Sequence, residues 1–139
     1  MIAVVLASVG AGGVATYRLI GTEWRVVTCR QGATALARLE LLFGMGKADG
    51  GEVSDGEWRA FLEAEVASRF PEGLMVLTGF GLWRGSEGGQ AREKSRVVEI
   101  WYGPAADSDG KIEAIRAAYK KRFCQESVMR VDGVSCVSF

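Results

Sequence analysis

The order of six sequence segments predicts an α+β domain with the ferredoxin-like split β-α-β fold, an antiparallel sheet with both helices on one face. Four segments alternate between apolar and polar residues or are rich in β-formers, as strands are. Two others carry helical stripes behind capping residues. Their order is strand, helix, strand, strand, helix, strand. We expect a leader or anchor segment and linker at 1–32 and a single domain at 33–139.

The first strand and the first helix have the clearest signals. Residues 35–45, ALARLELLFGM, alternate and predict a half-buried strand. Ser54 and Glu57 form an S-x-x-E capping box, which predicts the start of a helix that stops before Pro71. The apolar side chains of these two elements that we expect on the core side are Leu39, Leu41, Phe43, Trp58, Phe61, Leu62 and Val66.

A hairpin follows the first helix. Residues 73–85 predict a strand, in which Gly79 and Gly81 suggest a bulge or bend. The polar segment 86–93 predicts the hairpin loop, and 95–103, SRVVEIWYG, alternates again and predicts the returning strand.

A second helix and a last strand close the chain. The cluster at 107–109, Asp-Ser-Asp, predicts the helix start, and residues 127–139 predict the strand. The side chains expected to complete the core are Val98, Ile100, Ile112, Ile115, Tyr119 and Phe123.

Composition argues against several classes of function. Acidic and basic residues number 17 each, so no net charge attracts the chain to nucleic acid. There is no histidine, which removes Ser-His and Cys-His nucleophile pairs and the commonest metal ligand. We therefore predict no metal, no cofactor and no nucleic-acid partner.

The N-terminal segment has two interpretations. Ile2–Tyr17 is uncharged, which is typical of the apolar region of a signal peptide, although no basic residue precedes it. Alternatively, Gly10, Gly12 and Ala15 match the G-x-G-x-x-A turn of a dinucleotide-binding fold. That fold needs further parallel β-α units, and the following chain predicts a different fold. A leader or membrane anchor is therefore favoured over the cofactor site.

Several segments after residue 40 resemble one family. "VSDGEWRAFLEAEVASRFPEGLMVL", "GLWRG", "EKSRVVEI" and the terminal "CVSF" are similar to the uncharacterised bacterial family catalogued as domain of unknown function 3574. The resemblance implies a small exported or lipid-anchored protein of the periplasm or cell envelope, and implies no reaction. The chain departs from the family pattern at Leu82 and at Cys124, where a helix-ending glycine is usual.

The cysteines suggest a disulfide. In a split β-α-β sheet the last strand runs antiparallel beside the first, so its end lies near the entry to the first strand. Cys136 is near that end and Cys29 near that entry, which favours a bridge between them. Two reduced cysteines are the alternative, and they are favoured if the protein is cytoplasmic. Cys124 is expected to be a free thiol.

The predicted fold leaves one sheet face without helices. An exposed face with mixed charge and aromatic rings favours a partner, so we predict a homodimer with Trp101 at its centre, or a small-molecule ligand between the sheets. The residues assigned to this face are Arg38, Glu40, Glu99, Trp101 and Arg130.

A small-molecule enzyme of the dimeric α+β barrel type is the alternative function. Its site would combine a carboxylate with tyrosine and arginine for acid–base work, although solvated hairpin charges and core aromatics explain the same residues. The candidate residues are Trp83, Arg84, Glu93, Arg96 and Tyr102. The favoured function is an exported, dimeric binding or structural module of the cell envelope, with membrane attachment through the N-terminal segment as a further possibility.

Overall fold

A four-stranded antiparallel sheet and two helices form the body of the protein. The computed structural model describes residues 14–17, 25–84 and 88–139. The sheet has the order β4-β5-β3-β6, and all neighbouring strands are antiparallel. Its strands are β3 (Thr34–Gly44), β4 (Met75–Arg84), β5 (Gln90–Tyr102) and β6 (Met129–Val137), and a separate two-stranded ribbon is made by β1 (Val14–Tyr17) and β2 (Arg25–Thr28).

Local sequence signals set the helix ends. Helix α1 (Asp55–Phe61) begins at the predicted capping box, in which the Ser54 side chain accepts from the Glu57 N–H and the Glu57 carboxylate accepts from the Ser54 N–H. A π-helical segment, Leu62–Ala67, continues it. Helix α2 (Ser108–Phe123) ends at Cys124, which has the left-handed φ of 54°. This φ favours glycine, so cysteine here carries a conformational cost.

Both helices pack on the same face of the sheet. The Phe43 ring lies 5.2 Å from the Trp58 ring of α1 and 4.7 Å from the Tyr119 ring of α2, measured between centroids. One strand therefore contacts both helices. The core side chains predicted from the alternation and the helical stripes are buried, namely Leu39, Leu41, Phe43, Trp58, Phe61, Val66, Val98, Ile100, Ile112, Ile115, Tyr119 and Phe123, while Leu62 is partly buried.

The β4–β5 hairpin differs from the prediction in two respects. The register is unbroken along β4, so Gly79 and Gly81 make no bulge. Gly81 instead makes room for an indole, since a Cβ there would lie 2.3 Å from Nε1 of Trp83. Strand β5 begins at Gln90, so half of the predicted loop 86–93 belongs to the strand, because hydrogen bonding to β4 outweighs the polar composition.

The N-terminal interpretations lie mostly outside the described residues. Gly10 and Gly12 are among the residues not described, and Ala15 lies in β1, paired antiparallel with Val27. A dinucleotide turn would need a helix after such a glycine motif, and β1 is a strand. Within the described part of the chain, no helix is long and apolar enough to span a membrane.

A disulfide connects the segment after β2 to the last strand. Cys29 and Cys136 are bonded with Cα atoms 5.5 Å apart, which is the pair that the topology argument selects. Cys136 lies opposite Ala35 in the β3–β6 ladder, and the Arg30 guanidinium donates to the Ser138 hydroxyl over 2.6 Å nearby. Cys124 is a free, exposed thiol, as expected.

Candidate functional site

Four of the five residues assigned to the uncovered sheet face lie on it. Arg38 is directly opposite Trp101 in the β3–β5 ladder, and Glu40 is directly opposite Glu99. The Arg38 guanidinium forms an ion pair with Glu40 over 2.9 Å. This pair offsets part of the repulsion between the two facing carboxylates. Trp101 lies near one end of the ladder rather than at the centre of the face.

Arg130 lies on the other face, contrary to the prediction. It is directly opposite Leu41, whose side chain is buried under the helices. Its guanidinium donates to Asp109 and Glu113 of α2 over 2.7 and 2.8 Å, and to Asp132. Burial lowers the pKa of Arg130, but these hydrogen bonds outweigh it and raise the pKa above its ordinary value. Alternation in β6 is interrupted by polar residues and glycine, so the sequence pattern does not show which way Arg130 points.

An apolar row crosses the uncovered face on all four strands. Leu77 is opposite Val97, Val97 is opposite Leu42, and Leu42 is opposite Met129. Leu77 is 48% exposed and Met129 is 46% exposed. The neighbouring row on this face contains Glu99 and Glu40 in its middle. Its two ends are the exposed side chains Met75 and Val131. Apolar side chains thus extend across the whole width of the sheet.

A cleft of about 800 Å³ lies beyond this row, where β3 ends beside the hairpin. The row next to the apolar one has small residues only, with Gly79 opposite Ser95 and Ser95 opposite Gly44. Trp83 and Glu93 follow on the same face and line the cleft. In this row Gly44 lines the cleft, whereas Ser95 is covered and 5% exposed.

Two glycines fix the carboxylate of Glu93. Its Oε2 accepts a hydrogen bond from the Gly46 N–H over 3.0 Å. A Cβ on Gly44 would lie 2.5 Å from Oε1, and one on Gly46 would lie 2.9 Å from Oε2. The G-M-G at the end of β3 therefore lets the carboxylate lie directly on the backbone.

The hydroxyl of Tyr119 connects this corner to the core. It donates to the Gly44 carbonyl over 2.7 Å. Burial, and next the charge of Glu93, raise the pKa of Tyr119 above its ordinary value. The phenol therefore stays protonated and acts as a hydrogen-bond donor to the strand end.

Two buried polar atoms near the cleft have no hydrogen-bond partner among the described residues. They are Nε1 of Trp83 and Oγ of Ser95, and Ser95 is 5% exposed. Each such atom costs about 1–3 kcal/mol relative to a satisfied one. Unsatisfied groups beside a cleft are compatible with a binding site.

The alternative set of site residues converges only in part. Trp83, Arg84 and Glu93 all line the cleft. Arg96 instead lies on the helix-covered face, where it pairs with Asp55 and lies 5.2 Å from the centre of the Trp58 ring.

Tyr102 is also away from the cleft. It lies at the opposite end of the β3–β5 ladder from Gly44, with its ring 5.2 Å from that of Phe70. The strand period separates Arg96 and Tyr102 from Glu93, since residues an odd number of positions apart point to opposite faces.

Sequence reasoning missed Gly44, Gly46 and Ser95. The G-x-G at the end of the first strand was the available signal, but its meaning depends on Glu93, 47 positions away. Within the described residues, no group of three or more His, Cys, Asp or Glu side chains is arranged to hold a metal ion.

The sequence profile of one family matches residues 38–139, and its description is "Protein of unknown function (DUF3574)". The chain belongs to this family. The resemblance carried by the VSDGEW and LWRG segments is therefore confirmed. A search of curated proteins found no match to this DUF3574 member.

Solved structures show a similar fold at low sequence identity. A phage SAM lyase in complex with S-methyl-5'-thioadenosine superposes with a TM-score of 0.59, at 15% identity, over 88% of this chain and 97% of that one. A phage SAM lyase in the apo state gives a TM-score of 0.53, at 19% identity, over 81% of this chain and 96% of that one. These similarities concern the fold of the DUF3574 domain.

Proposed function

We propose that this DUF3574 protein is a homodimeric binding module with a ferredoxin-like fold, exported to the periplasm or cell envelope. The two copies join through the uncovered sheet face. The strand order β4-β5-β3-β6, with both helices on one side, supports the fold name. The observation that carries the proposal is the apolar row Leu77–Val97–Leu42–Met129 across that face.

The free energy of association requires the dimer to bury more side chains than the apolar row alone. Covering the exposed half of Leu77 or Met129 gains about 1 kcal/mol each, at the usual value per buried area. Association costs about 4–15 kcal/mol in lost freedom, so a stable dimer must also bury Met75 and Val131 of the next row in both copies. All of these side chains share one face, which makes a single continuous interface sufficient.

Charge on this face also suits a second copy. Glu99 faces Glu40 across the ladder, and among the described residues Arg38 forms its ion pair with Glu40. A copy related by a twofold axis adds a second Arg38 to the interface, and we expect its guanidinium to pair with Glu99. Isologous interfaces repeat each such contact twice.

Export is supported by the disulfide. Bridges such as Cys29–Cys136 form and persist in oxidising compartments and are rare in the bacterial cytoplasm. Membrane attachment would then come from the uncharged N-terminal residues ahead of β1.

Sedimentation velocity over a range of protein concentrations tests the dimer. We expect a dimer for the native chain and a monomer for Leu77→Glu, because the charge enters the apolar row. Leu82→Glu is the matched control, since Leu82 is 64% exposed on the opposite face of the same strand and should leave the dimer intact. A monomeric native chain, or equal effects of both substitutions, would refute the interface.

A small-molecule enzyme is the second candidate, favoured by one observation. The fold is shared with a phage SAM lyase in complex with S-methyl-5'-thioadenosine, and this chain has a cleft with the fixed carboxylate of Glu93. The test is to incubate the protein with SAM and to measure the formation of S-methyl-5'-thioadenosine by chromatography. Product that disappears in Glu93→Gln supports an enzyme, and no product above the protein-free rate contradicts this activity.

A further inference from the structure

We propose that the cleft between Glu93 and Trp83 binds a methylated organic cation, of the quaternary ammonium or sulfonium class. The inference concerns a ligand of the single chain. Its site shares Leu42 and Met129 with the proposed dimer interface, so it is tested in the monomeric Leu77→Glu variant as well as in the native chain. Three features carry it: a fixed carboxylate that forms no ion pair within the described part of the chain, an indole beside it, and apolar side chains on the far wall.

The carboxylate is held in place and keeps one oxygen available. Gly46 donates to Oε2 of Glu93, and the missing Cβ atoms of Gly44 and Gly46 leave the space that the carboxylate occupies. Oε1 has no hydrogen bond within the described residues. A preorganised negative group loses little conformational entropy when a cation binds.

The lysines around the cleft do not neutralise Glu93. Lys94 is paired with Glu52 over 2.9 Å, and Lys47 is paired with Glu57 over 2.9 Å. Glu93 has no ion pair with any described residue, although both lysines line the same cleft.

The arginines of the hairpin form no ion pair with Glu93 among the described residues. Arg84 and Arg92 line the cleft but are sequence neighbours of Trp83 and Glu93, so they project from the opposite face of the hairpin. Arg92 lies 5.8 Å over the ring of Phe80 on that side.

Trp83 supplies the aromatic surface. The edge of its indole that carries Nε1 lies against Gly81, and the ring borders the cleft. Glu93 is directly opposite Gly81 in the ladder, so carboxylate and indole are neighbours on the same face. A cation near a tryptophan ring is attracted by the ring quadrupole, most strongly when it is partly desolvated.

The far wall selects for a methylated cation over a metal ion or a primary amine. Leu42 and Met129 of the apolar row line the cleft. Methyl groups on nitrogen or sulfur gain from such contacts, whereas an ammonium would lose hydrogen bonds to water. Glu52 and Glu126 also line the cleft, but no three His, Cys, Asp or Glu side chains of the described residues are arranged to hold a metal ion.

Calorimetric titration of the full chain with choline tests the inference, with 3,3-dimethylbutan-1-ol as the neutral isostere. We expect choline to bind in the millimolar range and about tenfold more tightly than the isostere. Glu93→Gln should abolish this preference, because the amide oxygen can still accept from Gly46 but carries no charge. Trp83→Leu should weaken choline binding while leaving the isostere less affected.

Glu63→Gln is the control, because Glu63 is exposed on the helical segment after α1 and does not line the cleft. It should bind choline as the native chain does. Equal affinity for choline and its isostere, no binding of either, or equal losses in Glu93→Gln and Glu63→Gln would each overturn the inference. Sedimentation of the native chain reports the dimer, and titration of the monomeric Leu77→Glu variant reports the ligand site by itself, so failure of the dimer and failure of the ligand site are distinguishable.

Discussion

Removal of the Cys29–Cys136 bridge should destabilise the protein strongly. The two residues are 107 positions apart, so the bond closes nearly the whole described domain into one loop. In the chain-entropy treatment, a loop of about 100 residues restricts the unfolded chain by roughly 4.7 kcal/mol. With a urea dependence of about 2 kcal/mol per molar, this corresponds to a midpoint lower by about 2.3 M.

Urea unfolding of three chains measures this effect. The native chain is compared with the Cys29→Ser, Cys136→Ser double variant and with Cys124→Ser, all monitored by circular dichroism at one pH. Cys124 is exposed and unbonded, so its replacement should leave the midpoint nearly unchanged or raise it slightly. Alkylation of the native chain without reductant should label one thiol.

The reasoning fails if the double variant loses less than about 1 kcal/mol of unfolding free energy, because the entropy of so long a loop would then be offset by other effects. Three alkylated thiols in the native chain isolated from an oxidising compartment would show that the Cys29–Cys136 bridge is not formed. A dependence of the loss on protein concentration would show that the bridge acts through assembly.

Two further predictions concern the strand end and the first helix. Gly44→Ala should cost about 1–3 kcal/mol in urea unfolding, because its Cβ would lie 2.5 Å from the Glu93 carboxylate. The cost should shrink in a Glu93→Ala background and be absent in Gly79→Ala, where no atom lies within 4 Å; an equal cost in both backgrounds would contradict the contact. The Lys47 hydrogen bond, and then the bonds with the Ser54 backbone and hydroxyl, lower the pKa of Glu57 from 4.5 to about 2. Its stabilising contribution is therefore present above pH 4.5 and lost as the pH falls toward 2, so Glu57→Gln should flatten the pH dependence of the thermal midpoint in that range.

Periodicity predicted most of the core from the sequence. Leu39, Leu41 and Phe43 occupy every second position of the strand, and all three are buried. When one face is buried, apolar residues recur every two positions in a strand and every 3.6 positions in a helix. Such patterns lie within short stretches of sequence and can be recognised there. The capping box at Ser54 was equally readable, because both of its hydrogen bonds join residues three apart.

The candidate site was predictable only in part. Glu93 and Trp83 were recognised as candidate residues, but the sequence grouped them with Arg96 and Tyr102, which lie elsewhere. Their grouping depended on a loop assignment that the strand β5 replaces. Closeness in sequence does not show which face of the sheet a side chain occupies, because the face depends on where the strand begins and how it pairs.

The sequence by itself determined the strands and helices after residue 33, the core stripes and the helix starts, and it favoured the Cys29–Cys136 pair over two reduced cysteines. Each of these follows from residues close in sequence or from the order of the strands. Only the tertiary structure decided that Arg130 turns toward α2, that an apolar row crosses all four strands, and that Gly44 and Gly46 cradle a carboxylate from the hairpin. Those features depend on the register between strands, which is set by packing and hydrogen bonding across the sheet and leaves no local pattern in the chain.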